Sequence, residues 1–295
     1  RVREIRERVA RGGTAGIHTG LGGLDRLMGG LRTGSLHVFA ARPGMGKTAF
    51  ALFMAVNAAK QGVPVCVYSL EMSREQLIFR MLGQIADVEP SKITKEEMRA
   101  LEEASLLLKE LPICINQRSD IQIDEIRCDI SLRRRQGKCS LAIIDYLQLV
   151  NRDDKGQTPN EAISNITRKA KITAMDEEIP IVLLCQLNRN CETRGTYSFK
   201  HQLSDLRDSG SIEQDADTVA FISRLSVVNI HEDPDTHLPT RGRGTILLAK
   251  NRQGELGHVR FMHNEGVTSF WDDTQPACVR KARAAEPKPK GKGLF

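Results

Sequence analysis

The sequence predicts an α/β fold in which a mostly parallel, twisted sheet is flanked by helices. Two observations support this prediction. Apolar runs of strand length alternate with segments of helical periodicity, and several of those segments open with a recognisable helix cap. Such alternation implies parallel strands joined by right-handed crossovers. The chain has 295 residues and is 40% hydrophobic, so it can bury the core of one large domain with short appendages.

Residues 1–12 form a short amphipathic segment. Its apolar residues share one helical stripe: Val2, Ile5 and Val9. A glycine-rich stretch over residues 11–16 then interrupts the periodicity. We expect a short helix that docks elsewhere on the protein or on a neighbouring subunit, and a frayed terminus is the alternative.

A phosphate-binding loop follows the first strand-like run, residues 36–41, and precedes a helix-like stretch over residues 49–59. The loop consists of Ala41, Arg42, Pro43, Gly44, Met45, Gly46, Lys47 and Thr48. Backbone N–H groups, a helix N-terminus, an ammonium group and a hydroxyl that can ligate Mg²⁺ converge there, and together they bind a nucleoside triphosphate. Ala41 stands where the pattern asks for glycine, which is tolerable if its φ is negative.

The remaining elements follow in order along the chain. Three helices open with capping boxes, in which a hydroxyl and a carboxylate or amide three residues later bond each other's backbone: Ser73 with Gln76, Thr94 with Glu97, and Thr158 with Glu161. A further helix is predicted near residues 123–136. Strands are predicted at residues 63–70, 113–115, 141–150, 180–187, 245–250 and 258–263, with a hairpin-like turn at 251–254. Residues 188–212 are polar, and we expect an irregular, functional loop there.

Three polar side chains near strand ends are candidates for the chemistry of triphosphate hydrolysis. Asp145 follows a buried strand and is predicted to hold Mg²⁺ through water, with a strand-end turn aspartate as the alternative. Glu71 is expected to polarise the attacking water, unless it serves only the dipole of the next helix. Gln186 interrupts an apolar strand, so it either senses the γ-phosphate or is a satisfied core amide.

Charge and cysteine content limit the functional classes. The net charge is +6, but residues 274–295 contain six Lys or Arg residues and a single acidic residue, Glu286, so the excess lies in a basic tail. We expect this tail to be disordered and solvated, and weak DNA contact is the alternative. The seven cysteines show no C-x-x-C pair, which predicts reduced thiols and no zinc. No apolar run reaches the length of a membrane span, so we expect a cytoplasmic protein without a membrane partner.

Several motifs in fixed order resemble one family. They are the phosphate loop, Ser69-Leu-Glu-Met-Ser73, Ile144-Asp-Tyr-Leu-Gln148, Gln186-Leu-Asn-Arg189, the acidic run at 204–217, and Lys250-Asn-Arg-Gln-Gly254. Together they closely resemble the DnaB-type replicative DNA helicases. The resemblance covers a linker helix, residues 1–12, and the carboxyl-terminal RecA-like ATPase domain, residues 13–273, and leaves the tail at 274–295 unassigned. It implies the RecA-like type of phosphate-loop NTPase fold.

The resemblance also implies a mechanism and partners. The expected protein is a homo-hexameric ring that uses ATP and Mg²⁺ to move 5′ to 3′ on single-stranded DNA and unwind duplex. Lys250 and Arg252 match the pair that reaches the γ-phosphate bound by the neighbouring subunit; from the residues alone, a solvated hairpin tip is the alternative. Arg207, Asp208 and Gly210 match the DNA-binding loop of the central channel.

Two alternative functions are compatible with the same residues. One is a RecA-like recombinase, which shares the phosphate loop and Asp145 but pairs strands in a filament. The other is a DNA-stimulated ATPase without unwinding activity. A helicase loader is an expected partner. Primase binding stays open, because the family's amino-terminal collar domain is missing from this sequence.

Overall fold

The computed structural model describes residues 16–88, 94–118, 120–145, 158–187, 201–206, 209–264, 266 and 269–273. Within them lie nine strands: β1 (Leu36–Ala41), β2 (Val65–Ser69), β3 (Ile113–Gln117), β4 (Leu141–Asp145), β5 (Ile181–Gln186), β6 (Thr218–Ser223), β7 (Arg243–Asn251), β8 (Gly257–His263) and β9 (Phe270–Asp272). The described helices are α1 (Gly22–Met28), α2 (Lys47–Lys60), α3 (Arg74–Ala86), α4 (Lys95–Glu110), α5 (Ile123–Arg135), α6 (Pro159–Asp176) and α7 (Ser209–Asp215).

The strands form a single sheet in the order β3-β2-β4-β5-β1-β6-β7-β8-β9. The pairs from β3 to β6 are parallel, and the pairs from β6 to β9 are antiparallel. The expected mostly parallel α/β architecture is therefore confirmed. All carboxyl ends of the parallel strands meet at one edge of the sheet, where open α/β sheets bind their ligands.

Each face of the sheet carries its own hydrophobic core. On one face, α2 packs against the sheet through an aromatic group: Phe39, Phe50, Phe53, Phe261 and Phe270, with ring centroids 5.3–6.3 Å apart where they touch. On the other face, isoleucines of α5 and α6 pack against β4 and β5. Burying each large apolar side chain contributes about 1.5–3 kcal/mol. The core thus fixes the strands that present the candidate site.

The three helices expected to open with capping boxes do so. The hydroxyl of Ser73 accepts from the N–H of Gln76, and the corresponding bonds form at Thr94 and Thr158. The helix predicted near 123–136 is α5, which ends in three arginines beside the negative end of its dipole. These helices are set by hydrogen bonds between residues close in sequence, which is why the sequence predicts their starts well.

The structure departs from the expectations in several places. Residues 188–212 are not irregular throughout, because α7 begins at Ser209 and a short 3₁₀ turn spans Leu203–Asp205. Strands β6 and β9 and helix α1 were not anticipated. The predicted linker helix at 1–12, the end of the strand predicted to reach residue 150, and the tail at 274–295 lie outside the described residues.

The described cysteines are free thiols: Cys66, Cys114, Cys128, Cys139 and Cys185. Cys66 and Cys185 lie in buried strands, as expected of small hydrophobic side chains. None of the described helices combines the length and the hydropathy that crossing a membrane would require.

Candidate nucleotide-binding site

A cavity of about 510 Å³ opens at the carboxyl edge of the parallel strands. The residues that line it come from the phosphate loop and the start of α2, from the segments that follow β2, β5 and β6, from α3 and from the connection between β8 and β9: Ala41, Arg42, Pro43, Gly44, Gly46, Lys47, Thr48, Ala49, Glu71, Met72, Arg80, Gln186, Arg224 and Gly266. Cationic side chains outnumber the single carboxylate among them, which suits a polyanionic ligand.

The phosphate loop has the backbone conformation that its glycines permit. Gly44 and Gly46 adopt φ values of 79° and 89°, in the left-handed region that favours glycine. Gly46 caps α2, so the positive end of that helix faces the cavity. Ala41 is the last residue of β1, pairs with Gln186, and does not adopt positive φ. Alanine is therefore accommodated at the position where the motif asks for glycine.

Asp145, Thr48 and Lys47 meet beneath the loop. The hydroxyl of Thr48 donates to Oδ2 of Asp145 at 2.7 Å, and Nζ of Lys47 lies 3.7 Å from Oδ1. Burial lowers the pKa of Lys47, although the Asp145 carboxylate opposes that shift. Asp145 is 2% exposed, and its Oδ1 accepts no hydrogen bond from the described residues.

This arrangement fits Mg²⁺. The Lys47 ammonium lies 3.7 Å from Oδ1 of Asp145 but donates no hydrogen bond to it, so an ordered water or a metal ion would complete the surroundings of this buried oxygen. A hydroxyl and a carboxylate beside a phosphate site are also the oxygen ligands that Mg²⁺ prefers. Thr48 and Asp145 would hold the ion, directly or through water.

Glu71 lies on a turn between β2 and α3. The hydroxyl of Ser69 donates to the carbonyl of Met72 and accepts from its N–H, which closes the turn. Helix α3 begins only at Arg74, so Glu71 is not a first-turn residue of that helix. The turn presents the Glu71 carboxylate to the cavity, and Gln186 lines the same cavity from the end of β5.

The cavity also includes two arginines that the sequence reasoning missed. Arg80 reaches it from α3 and forms no ion pair within the described part of the chain. Arg224 follows β6 and donates from Nη1 to the carbonyl oxygen of Gly44 at 3.3 Å. The sequence signal for Arg224 was its position directly after an apolar run, residues 218–223, which went unassigned.

Lys250 and Arg252 lie away from this cavity. Asn251 pairs with Thr218 and Thr218 with His37, so the end of β7 is level with the start of β1. The phosphate loop follows the other end of β1. The pair is therefore at the edge of the sheet opposite the nucleotide cavity of its own chain.

Both side chains fold onto the C-terminal turn of α7. Lys250 donates to the carbonyl of Glu213, and Arg252 to that of Gln214. Arg252 also lies 3.3 Å from Asp217, whose pKa is lowered. Burial alone would raise the pKa of Asp217, but hydrogen bonds from Lys171 and from the backbone of Leu36, together with the charges of Lys171 and Arg252, outweigh that effect. Burial lowers the pKa of Lys250. Helix C-terminal carbonyls are common partners for cations.

Of the expected DNA-binding residues, the structure describes Gly210, which lies in the first turn of α7. Arg207 and Asp208 lie outside the described residues. Leu206, immediately before them, forms an antiparallel bridge with Leu187 at the end of β5. Leu206 therefore lies at the same edge of the sheet as the nucleotide cavity, beside the residue that follows Gln186.

Comparison with known proteins identifies the family of the chain. The family model described as the DnaB-like helicase C terminal domain matches residues 16–272. The chain belongs to this DnaB-like helicase family. The DnaB-type resemblance and the RecA-like fold class predicted from the sequence are thereby confirmed.

Individual relatives show how far the similarity extends. The chain is 36% identical over 266 residues to the replicative DNA helicase DnaB of Geobacillus stearothermophilus, which covers 88% of this chain and 57% of that protein. It is similar to a solved structure described as an ATPase domain, with a TM-score of 0.82 at 28% identity, covering 92% of this chain and 96% of that one. The chain spans about 55–60% of the length of the curated relatives it matches.

Two further solved structures bear on partners and on the alternative functions. A DnaB-like replicative helicase described with its interactions with primase has a TM-score of 0.82 at 28% identity, covering 92% of this chain and 67% of that one. The RadB recombinase matches with a TM-score of 0.54 at 18% identity, covering 87% of this chain and 99% of that one. The recombinase therefore shows a shared fold alone.

Proposed function

We propose that this chain is the ATP-hydrolysing motor of a replicative DNA helicase, working as a hexameric ring that moves 5′ to 3′ on single-stranded DNA. The observation that carries the proposal is the division of the site between two edges of one sheet. Lys47, Thr48, Asp145 and Glu71 gather at the carboxyl edge. The cations expected to act on the γ-phosphate are at the other edge, where they can serve only a neighbouring subunit.

Within one subunit, each residue at the cavity has a role that its position supports. The phosphate-loop N–H groups and Lys47 bind the β- and γ-phosphates. Thr48 and Asp145 would hold Mg²⁺, and the bound ion would supply positive charge to the phosphates. Glu71 accepts a proton from the attacking water or orients it, and Gln186 contacts the γ-phosphate. Arg252 and Lys250 of the adjacent subunit complete the charge stabilisation.

The position of Gln186 supports a connection from hydrolysis to DNA. Gln186 ends β5 at the cavity, and Leu187, the next residue, bridges to Leu206. Leu206 immediately precedes Arg207 and Asp208, and Gly210 follows in α7. A shift of Gln186 on loss of the γ-phosphate would therefore move the proposed DNA-binding residues. Contacts of this kind to the DNA backbone suit a motor that must pass every base.

A strand-displacement assay on a forked duplex tests the proposal. We expect ATP-dependent unwinding of a fork with a 5′ single-stranded arm, ATPase activity stimulated by single-stranded DNA, and a mass that corresponds to six subunits. Lys47→Ala should abolish both activities and is the matched negative control. Stimulated ATPase activity without displacement by assembled rings would favour the DNA-stimulated ATPase, and open filaments in electron micrographs would favour the recombinase.

The proposed partners are single-stranded DNA, five further copies of the chain and a helicase loader. An interaction with primase is described for a longer relative, of which this chain covers 67%. A loader would be detected as a protein that increases the fraction of rings placed on single-stranded DNA that is circular or covered by protein. The ATPase activity that the DNA stimulates measures this fraction.

A further inference from the structure

Arg224 is attached to the phosphate loop by several contacts. Its backbone N–H donates to Sδ of Met45 at 3.3 Å, and its Nη1 donates to the carbonyl of Gly44 at 3.3 Å. Its Nε donates to Nε2 of His263 at 3.1 Å. Because β6 lies beside β1 on the side away from β5, Arg224 lies across the phosphate loop from Glu71 and Gln186.

The hydrogen bonds of His263 define its protonation state. Its Nδ1 lies 2.7 Å from the carbonyl oxygen of Asn264, which can only accept, so Nδ1 carries a proton. Nε2 faces the Nε–H of Arg224, which can only donate, so Nε2 carries a lone pair. The ring is therefore the neutral Nδ1–H tautomer. His263 is the last residue of β8 and is 6% exposed.

A protonated His263 could not hold Arg224 in this way. Its Nε2–H would meet the Nε–H of Arg224, so two donors and two positive charges would face each other. Burial lowers the pKa of His263, and the charge of Arg224 lowers it further, whereas backbone bonds with Asn264 and Arg243 raise it. The neutral form consequently predominates at neutral pH, and the contact fails on the acidic side.

Among the described residues, Arg224 is the one whose charge acts on the His263 ring. Arg243, on the neighbouring strand β7, turns its guanidinium to Asp273 and to the carbonyl of Pro239. Phe261 of β8 contacts the ring at a centroid distance of 6.2 Å, and β9 contributes Phe270 opposite His263. The buried His263 ring is thus flanked by phenylalanines, and Arg224 is the cation that contacts it.

We propose that His263 is a positioning residue that holds Arg224 against the nucleotide cavity and makes nucleotide affinity depend on pH. The inference rests on the proposed nucleotide-binding function. Because Arg224 lies across the phosphate loop from Glu71 and Gln186, the loss of His263 weakens nucleotide binding and leaves the rate of the chemical step unchanged. The expected signature is a change in KM and Kd without a change in kcat.

Two variants of the full chain separate positioning from packing. His263→Gln keeps an acceptor that does not titrate, and His263→Phe keeps a ring without an acceptor. Calorimetric titration with a non-hydrolysable ATP analogue and Mg²⁺ between pH 5.5 and pH 8 gives the affinities. At pH 7.5 we expect His263→Phe to bind about two- to tenfold more weakly, the worth of one hydrogen bond, and His263→Gln to bind as the unmodified chain does.

The pH profile provides the second readout. Affinity of the unmodified chain should fall toward acid more steeply than that of either variant, because only the unmodified chain loses the Arg224 contact by protonation. The γ-phosphate of the analogue and the other titratable groups are common to all three proteins, so the difference isolates His263. Free energies of unfolding, measured by urea denaturation, identify any variant that is merely destabilised.

Three results would overturn the inference or its premise in distinguishable ways. Identical affinities and pH profiles in all three proteins would refute the role of His263 and leave the proposed function standing. An imidazole ¹⁵N spectrum that shows the Nε2–H tautomer for His263 would refute the geometry independently of nucleotide. A chain that bound no nucleotide at any pH would refute the proposed function itself.

Discussion

Arg252 should act on nucleotide bound by the neighbouring subunit, and the sheet explains why it cannot serve its own. The N–H of Arg252 donates to the carbonyl of Asp217, whose own N–H donates to the carbonyl of Leu36 at the start of β1. The phosphate loop follows Ala41 at the other end of that strand. The five residue steps of β1 correspond to about 16 Å, well beyond the reach of an arginine side chain.

The perturbation is Arg252→Ala, paired with Glu71→Gln. Each variant alone should bind the ATP analogue but turn over ATP about 10³-fold more slowly or worse, the range measured for an arginine finger. Mixing the two in equal amounts and letting subunits exchange should restore activity. A competent site takes its Glu71 from an Arg252→Ala subunit and its Arg252 from a Glu71→Gln subunit, so about one quarter of the interfaces in random rings are complete.

The steady-state ATPase rate of the mixture measures this restoration, with native mass spectrometry to verify mixed rings. We expect about one quarter of the rate of the unmodified chain if sites act independently. If Arg252 acted within its own subunit, every subunit of a mixed ring would lack one of its two groups, and the ring would stay as inactive as either parent. That outcome would refute action in trans. Arg260→Ala, at an exposed arginine on β8, is the matched control and should retain full activity.

Three further predictions concern the Mg²⁺ site, Arg80 and a buried histidine. Asp145→Asn should weaken the Mg²⁺-dependent part of analogue binding by about 10- to 100-fold, and equal Mg²⁺ dependence in both proteins would contradict the assignment. Arg80→Ala should reduce the preference for triphosphate over diphosphate in competition titrations, whereas Arg99→Ala, on the exposed surface of α4, should not. Burial lowers the pKa of His37 to about 4, so the folded chain binds fewer protons than the unfolded one, and stability falls as pH drops from about 6.5 toward 4. Urea denaturation should show a loss of about 2–3 kcal/mol between pH 7 and pH 4.5 that His37→Gln lacks.

Local features were predicted well because local interactions determine them. The capping boxes at Ser73, Thr94 and Thr158 each join residues three apart, and all three helices begin where expected. Strands β4 and β5 were evident as continuous apolar runs because both of their faces are buried. The phosphate loop was evident for the same kind of reason, since its two glycines and Lys47 are neighbours in the chain.

Features that depend on partners distant in sequence were predicted less completely. Strand β6 was not predicted, and Arg224 was therefore not recognised as a residue of the cavity. Its place there follows from the pairing of β6 with β1. The expectation of an irregular stretch through residue 212 was wrong from Ser209, because α7 packs on α6 and buries Ile212. Polar composition alone did not reveal a short helix stabilised mainly by tertiary contacts.

The sequence by itself determined that this chain has a phosphate loop between a strand and a helix, in a parallel α/β fold. Hydrogen bonds and periodicities within a few residues are sufficient for that, whereas the structure supplied the backbone conformation that accommodates Ala41 at a strand end. Tertiary structure alone brought the Asp145 carboxylate to Thr48, 97 positions earlier in the chain. It also put Lys250 and Arg252 at the opposite edge, because antiparallel β7 returns the chain to the start of β1. The strand order therefore separates the phosphate loop from Lys250 and Arg252, and in the proposed mechanism that pair serves the nucleotide of a neighbouring subunit.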